Sequence, residues 1–97
     1  MSERELEKRF VQKVREAGGY AYKFVSPGTS GVPDRLVVLP EGKTGFVEVK
    51  APGKKPRAEQ EYQIRRLKAL GCYVAVLDDP EKIGQVIQEI KDQEVTA

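Results

Sequence analysis

The sequence predicts a mixed α/β fold in which helices flank a mixed sheet, with the element order α-β-β-β-α-β-α. Three segments carry apolar residues at helical spacing, and four short runs are rich in β-branched, aromatic or aliphatic residues. Glycines and prolines separate these segments. The 97 residues suit a single domain, which we assign to residues 1–97.

The first half of the chain is predicted to contain one helix and two strands. Leu6, Phe10 and Val14 repeat at helical spacing, Ser2 is a suitable N-cap, and two glycines end the helix. A run rich in aromatic residues then indicates a strand, and a continuous apolar run indicates a second, buried strand. The helix, strand, loop and second strand cover residues 2–17, 20–25, 26–33 and 34–39.

The second half is predicted to contain a strand, a helix, a strand and a last helix. The first three strands can pair as a meander, and the helix before the fourth strand allows a parallel, right-handed crossover. Gly71 ends the middle helix, and Pro80 suits the first turn of the last one. The four elements cover residues 45–50, 57–70, 72–77 and 80–93.

Composition excludes several classes of protein. Hydrophobic residues make up 39% and charged residues 33%, which is typical of a soluble globular protein. No apolar run approaches the roughly 20 residues of a membrane span, and residues 1–4 lead into no secretory signal. A lone cysteine, Cys72, can form neither an internal disulfide nor a structural zinc site. We therefore expect a reducing, cytoplasmic location.

The absence of histidine narrows the chemistry further. The chain cannot build a Ser-His-Asp or Cys-His nucleophile, a His-ligated zinc site or a histidine general base. An enzyme built from this sequence must use carboxylates, lysine and a hard metal ion. Oxygen ligands without imidazole favour Mg²⁺ or Mn²⁺.

Charge is distributed unevenly along the chain. Residues 43–68 contain eight basic and three acidic residues, whereas residues 77–97 contain six acidic residues and two lysines. The middle of the chain is therefore a candidate phosphate-facing surface, and the C-terminal segment is expected to face elsewhere.

Three charged residues interrupt the predicted strands. Asp34 opens the second strand, and Glu48 and Lys50 alternate with Val47 and Val49 in the third. Because strand side chains alternate, the valines pack into the core and Glu48 and Lys50 share the other face. If the two strands are neighbours, Asp34 lies beside Glu48, and two close carboxylates repel unless a cation sits between them. The pattern predicts a divalent metal site, with Lys50 placed to orient water or offset transition-state charge.

These motifs resemble those of the VRR-NUC domain, a family of the PD-(D/E)xK nuclease superfamily. The similar residues are Gly31-Val32-Pro33-Asp34-Arg35, then Phe46-Val47-Glu48-Val49-Lys50-Ala51-Pro52-Gly53, then Gln60. The resemblance is to the stand-alone, phage-type form, which is similar to Holliday-junction resolvases. It implies a restriction-endonuclease-like αβββαβ core, followed here by a C-terminal helix.

The resemblance also implies roles for the matching residues. Asp34 and Glu48 correspond to metal ligands, together with the backbone carbonyl of Val49, and Lys50 corresponds to the catalytic lysine. The glutamine of the family's second helix corresponds to Gln60, which is expected at the active site.

The family places a further catalytic glutamate on the first helix. We choose Glu3, which lies three residues before Leu6 and seven before Phe10 and so continues the apolar stripe. Glu7 is the second candidate, and Glu5 points away from the stripe.

Five polar residues are candidates for contacts with DNA phosphates. Lys54, Lys55 and Arg57 directly follow the catalytic strand, and Lys23 and Ser26 end the first strand. The alternating aromatic residues of that strand are predicted to lie in the core, with a base-stacking platform as the alternative. They are Tyr20, Tyr22 and Phe24.

We expect an Mg²⁺- or Mn²⁺-dependent DNA endonuclease acting on branched DNA such as Holliday junctions, with no organic cofactor and no membrane partner. The alternatives are a nickase or flap-type nuclease, a non-catalytic nucleic-acid-binding module of the same fold, and a domain that binds a protein through its acidic last helix. The presence of Asp34, Glu48 and Lys50 together favours an enzyme.

A homodimer is also expected. One chain offers one site, whereas resolving a four-way junction requires two coordinated cuts, which a two-fold symmetric dimer can make. The last helix carries more apolar surface than a short peripheral helix needs, so we expect it or its neighbouring strand at the interface. The alternative is that these residues cover the sheet of a monomer. They are Ile83, Val86, Ile87 and Ile90.

Overall fold

A computed structural model describes residues 1–94, which form a four-stranded sheet with helices on both faces. The predicted element order is confirmed, and the helix and strand boundaries differ from the prediction by three residues or fewer. None of the helices in residues 1–94 combines the length and the apolar character needed to cross a bilayer. The elements are α1 (Glu3–Glu16), β1 (Tyr20–Lys23), β2 (Arg35–Leu39), β3 (Lys43–Val49), α2 (Ala58–Ala69), β4 (Val74–Leu77) and α3 (Ile83–Lys91), with 3₁₀ turns at Pro40–Gly42 and Pro80–Lys82.

The strand order in the sheet is β1-β2-β3-β4. The first three strands pair antiparallel in succession, and β4 pairs parallel to β3 through α2, so the predicted meander and the predicted parallel pairing are confirmed. Opposed antiparallel residues share a face, and the register opposes Tyr22 to Leu36 and Leu36 to Phe46. Glu48, two residues after Phe46, lies on this same face, which we call the site face.

The opposite face of the sheet, the core face, carries the main hydrophobic core. Val47 and Val49 pack there with residues of α1 and α3. Gly45 allows α3 to approach closely, because a Cβ at this position would lie 2.7 Å from the Tyr73 ring and 3.0 Å from Ile90. The apolar residues of α3 are buried in this core: Ile83, Val86, Ile87 and Ile90. They are therefore not available for the predicted dimer interface, and the alternative, that they cover the sheet, is confirmed.

The site face is covered only in part. α2 contacts β4, and its buried Ile64 lies outside the cluster on the core face. Within residues 1–94 no helix covers the β1 side of the site face, so Tyr20 and Tyr22 are 58% and 56% exposed. The prediction that these tyrosines lie in the core is therefore wrong. Phe24 is half-buried, with its ring centroid 5.4 Å from that of Phe46.

Candidate active site

The register of β2 and β3 brings the two predicted carboxylates together. Asp34 directly precedes β2, whose first residue, Arg35, is opposed to Val47. The Asp34 amide donates a hydrogen bond of 3.2 Å to Glu48 Oε1, and the Val49 amide donates one of 2.9 Å to Asp34 Oδ2. Each carboxylate is therefore held by a backbone amide of the strand that carries the other.

Lys50 completes the group of charges on the site face. Its backbone amide donates a hydrogen bond of 2.9 Å to the Leu77 carbonyl, which fixes it to β4 just beyond the end of β3. Its ammonium nitrogen lies 3.4 Å from Glu48 Oε2, and the two side chains are 11% and 1% exposed. The structure thus places Asp34, Glu48 and Lys50 side by side, as the alternation of residues in β3 predicts.

The environment of Glu48 disfavours its charged form. The pKa of Glu48 is raised from 4.5 to about 7: burial contributes most, the nearby Asp34 carboxylate acts in the same direction, and the Lys50 ammonium acts in the opposite direction. Glu48 Oε2 is buried, and although Lys50 is within ion-pair distance, this oxygen accepts no hydrogen bond within the described chain. A buried carboxylate oxygen without a donor is costly, and a cation beside it would remove that cost.

The backbone carbonyl of Val49 is a further oxygen at this position. The amide of Val49 points towards β2, because it donates to Asp34, and in a strand the carbonyl of the same residue points to the same side. Extending the β2–β3 register by two residues opposes Val49 to Pro33, which has no N–H to donate. The ladder therefore provides no donor for the Val49 carbonyl, which the resemblance implied as a metal ligand.

The oxygen atoms of Asp34, Glu48 and the Val49 carbonyl are ligands that suit a hard divalent cation. Two carboxylates and a carbonyl supply only oxygen, which suits Mg²⁺ or Mn²⁺. Among residues 1–94, no three Asp, Glu, His or Cys side chains gather closely enough to hold a metal by themselves. A cation at this position would therefore take Asp34, Glu48 and the Val49 carbonyl, and leave other coordination positions for water and phosphate oxygens.

Gln60 lies close to the loop that carries Asp34 but caps a helix there. Its Oε1 accepts a hydrogen bond of 2.8 Å from the Arg57 amide at the start of α2, and its side chain is buried. Gly31, with φ of +85°, packs against the same turn: a Cβ there would lie 2.4 Å from the Glu59 carbonyl oxygen. The capping role was missed from the sequence, although a glutamine three residues after the N-cap is its usual signal.

The structure does not bring the predicted first-helix glutamate to the carboxylate pair. Glu3 is exposed in the first turn of α1, so its predicted place in the buried stripe is wrong. An acidic residue is favoured there by the helix dipole alone. Glu7 is half-buried, but its Oε2 accepts a hydrogen bond of 2.8 Å from Arg35 Nε, on the core face.

The predicted phosphate-binding residues separate into two groups. Lys54, Lys55 and Arg57 are exposed in the loop between β3 and α2, directly after Lys50. Arg57 Nε also lies 3.0 Å from Glu59 Oε1. The two residues that end the first predicted strand behave differently.

Lys23 and Ser26 do not share the position of the basic loop. Lys23 is opposed to Arg35 and so lies on the core side of the sheet, because side chains alternate along β1. The register therefore directs Lys23 away from the face of the carboxylate pair, and its contact with DNA stays a prediction. Ser26 is half-buried in the following loop, where its carbonyl accepts a hydrogen bond from the Thr29 amide.

Comparison with known proteins gives three consistent similarities. The family described as "VRR-NUC domain" matches residues 2–79. A protein of Acyrthosiphon pisum secondary endosymbiont phage 1, named "Putative nuclease p44", is 59% identical over 76 residues, which cover 78% of this chain and 82% of that protein. A solved structure described as "VRR_NUC domain" is similar with a TM-score of 0.83 and 29% identity, covering 91% of this chain and 97% of that one.

Proposed function

The chain belongs to the VRR-NUC domain family of nucleases, and on that premise we propose that it is a divalent-metal-dependent endonuclease that hydrolyses phosphodiester bonds of branched DNA. One observation carries the proposal. The buried Glu48 Oε2 accepts no hydrogen bond and has the ammonium of Lys50 3.4 Å away, while Oε1 of the same carboxylate accepts the Asp34 amide.

Different residues would hold the metal ion, stabilise charge on the phosphate and bind the DNA backbone. Asp34, Glu48 and the Val49 carbonyl would hold Mg²⁺ or Mn²⁺, which when bound supplies a Lewis acid that lowers the pKa of water and polarises a phosphate oxygen. Lys50 is positioned by its backbone bond to β4, so its ammonium can orient the attacking water or stabilise negative charge on the phosphate. The exposed Lys54 and Lys55 would bind the DNA backbone on either side of the cut.

The proposed preference for branched DNA rests on symmetry and charge. Each chain supplies one pair of carboxylates. The basic loop would contact phosphates, which carry no sequence information, rather than base edges. A two-fold symmetric homodimer would present two such sites to a four-way junction and cut opposed strands.

The test is a cleavage assay with Mg²⁺ or Mn²⁺ on four-way junction, flap, nicked and linear duplex DNA. The wild-type protein should cut the junction on opposed strands, and Asp34→Asn and Glu48→Gln should reduce the rate by at least about 100-fold, since each removes a ligand charge. Lys50→Met should also reduce the rate by at least about 100-fold, but this variant should still bind Mn²⁺ in calorimetric titration. Lys82→Met, which removes an exposed lysine before α3, is the matched control and should cleave at the wild-type rate.

Three outcomes would contradict the proposal. Wild-type cleavage by Asp34→Asn would remove the carboxylate pair from the chemistry. Single nicks or flap removal as the main product would favour the nickase or flap-nuclease alternative. Junction binding without cleavage in either metal would favour a non-catalytic module.

A further inference from the structure

We propose that the chain has a second DNA-binding surface, centred on α1, which holds one arm of a branched substrate while the loop after β3 holds another. We call this surface the edge row. Its residues are Arg4, Lys8 and Arg15 of α1 and Lys23 of β1. The inference rests on the proposed function, because it assigns a further site for the same substrate.

The three α1 members of the edge row form one line along the helix. Lys8 follows Arg4 by four residues and precedes Arg15 by seven, and these spacings place side chains on the same side of an α-helix. All three side chains are exposed. With a rise of about 1.5 Å per residue, the line extends over roughly 16 Å.

The edge row lies on the flank of α1 that faces away from α3. The opposite flank contributes Arg9 and Lys13 to the groove between α1 and α3. Because α3 contacts β3 and β4, whereas α1 contacts β1, the flank without α3 borders the β1 edge of the sheet. Lys23 lies at this edge on the core side, opposed to Arg35.

The positive charge of the edge row is not neutralised within residues 1–94. An open groove of about 800 Å³ follows this part of α1, and its lining includes six cations and two carboxylates. Of these carboxylates, Glu7 is bonded to Arg35, and Glu5 accepts a hydrogen bond from the Ser2 hydroxyl. No member of the edge row has a carboxylate of the described chain within ion-pair distance.

The stability of α1 does not account for these cations. Arg4 lies in the first turn of the helix, where the helix dipole disfavours a positive charge. Lys8 follows it at a spacing of four residues, at which like charges destabilise a helix. An anionic ligand bound along the helix would relieve both effects.

The arrangement fits a polyanion better than a small anion. A small anion is held by donors that converge on one point, whereas the exposed side chains of the edge row are spread along a line. One DNA strand presents a phosphate about every 3.4 Å along the axis, so a line of roughly 16 Å passes four or five phosphates. Such contacts position a duplex without reading its sequence.

The position of the edge row relative to the carboxylate pair favours branched DNA. α1 packs on the core face, whereas Glu48 lies on the site face and the basic loop follows β3. Arg35, which lines the α1 groove, directly follows Asp34, so the two surfaces approach each other at the start of β2. Duplex DNA is stiff, with a persistence length of about 150 bp, and does not turn round the sheet edge at low cost. The arms of a branched DNA leave in different directions and can reach both surfaces.

The experiment measures DNA affinity by fluorescence anisotropy in a chelator, with a labelled four-way junction and a labelled linear duplex, at several salt concentrations. The test variant is Arg4→Gln, Lys8→Gln. It should bind the junction at least about tenfold more weakly at about 0.1 M salt, and the slope of log affinity against log salt should fall by about 2. Its affinity for the duplex should change by less than about twofold, because the loop after β3 still binds that DNA.

The matched control is Lys82→Gln, Lys91→Gln, which removes the same charge from the segment that contains α3. It should bind both DNAs like the wild type. Lys54→Ala, Lys55→Ala should weaken the binding of both DNAs, since either one uses the loop after β3. In thermal unfolding, the test variant should be at least as stable as the wild type, because it lacks the two unfavourable charges of α1.

Three results would overturn the inference. Unchanged junction affinity of the test variant would show that the edge row binds no DNA and would leave a different anionic partner for it. Equal losses on junction and duplex would show that the edge row does not select branched DNA. Lower thermal stability of the test variant would show that the cations serve the fold. Because no cleavage is measured, a chain that cuts no DNA can pass this test and a chain that cuts junctions can fail it.

Discussion

The environment of Glu48 disfavours its ionised form, and the surrounding groups determine what can stabilise that form. Its Oε1 accepts the Asp34 amide, whereas Oε2 is buried without a donor. Either a proton or a metal cation can neutralise the negative charge of the Asp34 and Glu48 carboxylates. At neutral pH the proton and the cation compete for Glu48, so metal binding is expected to release protons.

The raised pKa of Glu48 predicts a pH-dependent stability for the metal-free protein. With a pKa of about 7 in the folded chain and 4.5 as the ordinary value, the folded state holds more protons between these limits. Stability from this group is therefore fully present below pH 4.5 and is lost as the pH rises through about 7. Glu48→Gln removes that loss and should be more stable than the wild type at pH 8 by roughly 1–3 kcal/mol.

The measurement is urea unfolding of both proteins in a chelator at several pH values. The advantage of Glu48→Gln should shrink towards zero near pH 4.5, because the wild-type carboxyl is then protonated in the folded state. Saturating Mg²⁺ should stabilise the wild type more than the variant. A stability difference between the two proteins that does not change with pH would contradict a raised pKa of Glu48.

Gln60 is expected to act through the start of α2. Gln60→Ala removes the acceptor for the Arg57 amide and should lower the free energy of unfolding by about 1 kcal/mol. Gln60→Glu keeps an oxygen acceptor at this position of the capping box and should cost little. Thermal unfolding of both variants measures the difference, and an equal loss in both would show that the cap is unimportant.

Among the elements, the close contact between the Gly31 loop and α2 is the most sensitive to substitution. Gly31→Ala should destabilise the protein by about 2–4 kcal/mol, because the new Cβ meets the Glu59 carbonyl oxygen and the positive φ is unfavourable for alanine. Gly28→Ala is the matched control: its φ is +83°, with open space around the Cβ, and it should cost about 1 kcal/mol.

Urea unfolding of the two alanine variants isolates the steric contribution, since the backbone angles are alike. Equal losses would mean that the loop moves away from α2 without cost. A larger loss for Gly31→Ala would show that the segment before Asp34 is held against the helix.

The elements also show which sequence predictions have a physical basis. Strand alternation fixes the faces of Val47, Glu48 and Lys50, so the central part of the site could be predicted before the fold was known. Alternation cannot show whether a helix covers the face on which Tyr20 and Tyr22 lie, because that depends on where α2 crosses. The prediction of buried tyrosines fails for this reason.

The same limit explains the errors at both ends of the chain. An apolar stripe such as that of α3 has the same pattern whether it packs on the chain's own sheet or on a partner. The position of Glu3 before Leu6 predicted burial, but helical spacing does not say whether the first turn extends beyond the sheet. The prediction that Lys23 contacts DNA rests on its proximity in sequence to the Asp34 loop, but the alternation of side chains along β1 places Lys23 on the core side.

At the scale of the whole molecule, the segment that contains α2 is basic and the segment that contains α3 is acidic. The loop after β3 and α2 carry most of the basic residues near the site face, whereas residues 77–94, which include α3 on the core face, contain six acidic residues and two lysines. The described chain measures 33 × 30 × 21 Å, so these two sides are separated by more than a Debye length at physiological salt. A DNA molecule is therefore expected to approach the basic loop and α2 rather than α3.

This division predicts where salt-dependent DNA affinity originates. The double variant Lys54→Ala, Lys55→Ala should lower the slope of log affinity against log salt by about 2, since each lysine neutralises one phosphate. Lys82→Ala, Lys91→Ala removes the same charge from the acidic side and should leave the slope unchanged. Fluorescence anisotropy with a labelled duplex measures both, and equal effects of the two pairs would mean that only net charge matters.

The reciprocal bonding of the two carboxylates makes two backbone amides into spectroscopic reporters. The Asp34 amide is bonded to Glu48, and the Val49 amide to Asp34, so neither proton is protected by a carbonyl of the sheet. Their nitrogen and proton chemical shifts, and their rates of exchange with solvent, depend on the state of one carboxylate each. Occupation of the site could then be followed one carboxylate at a time by nuclear magnetic resonance, without a substrate and without any change to the chain.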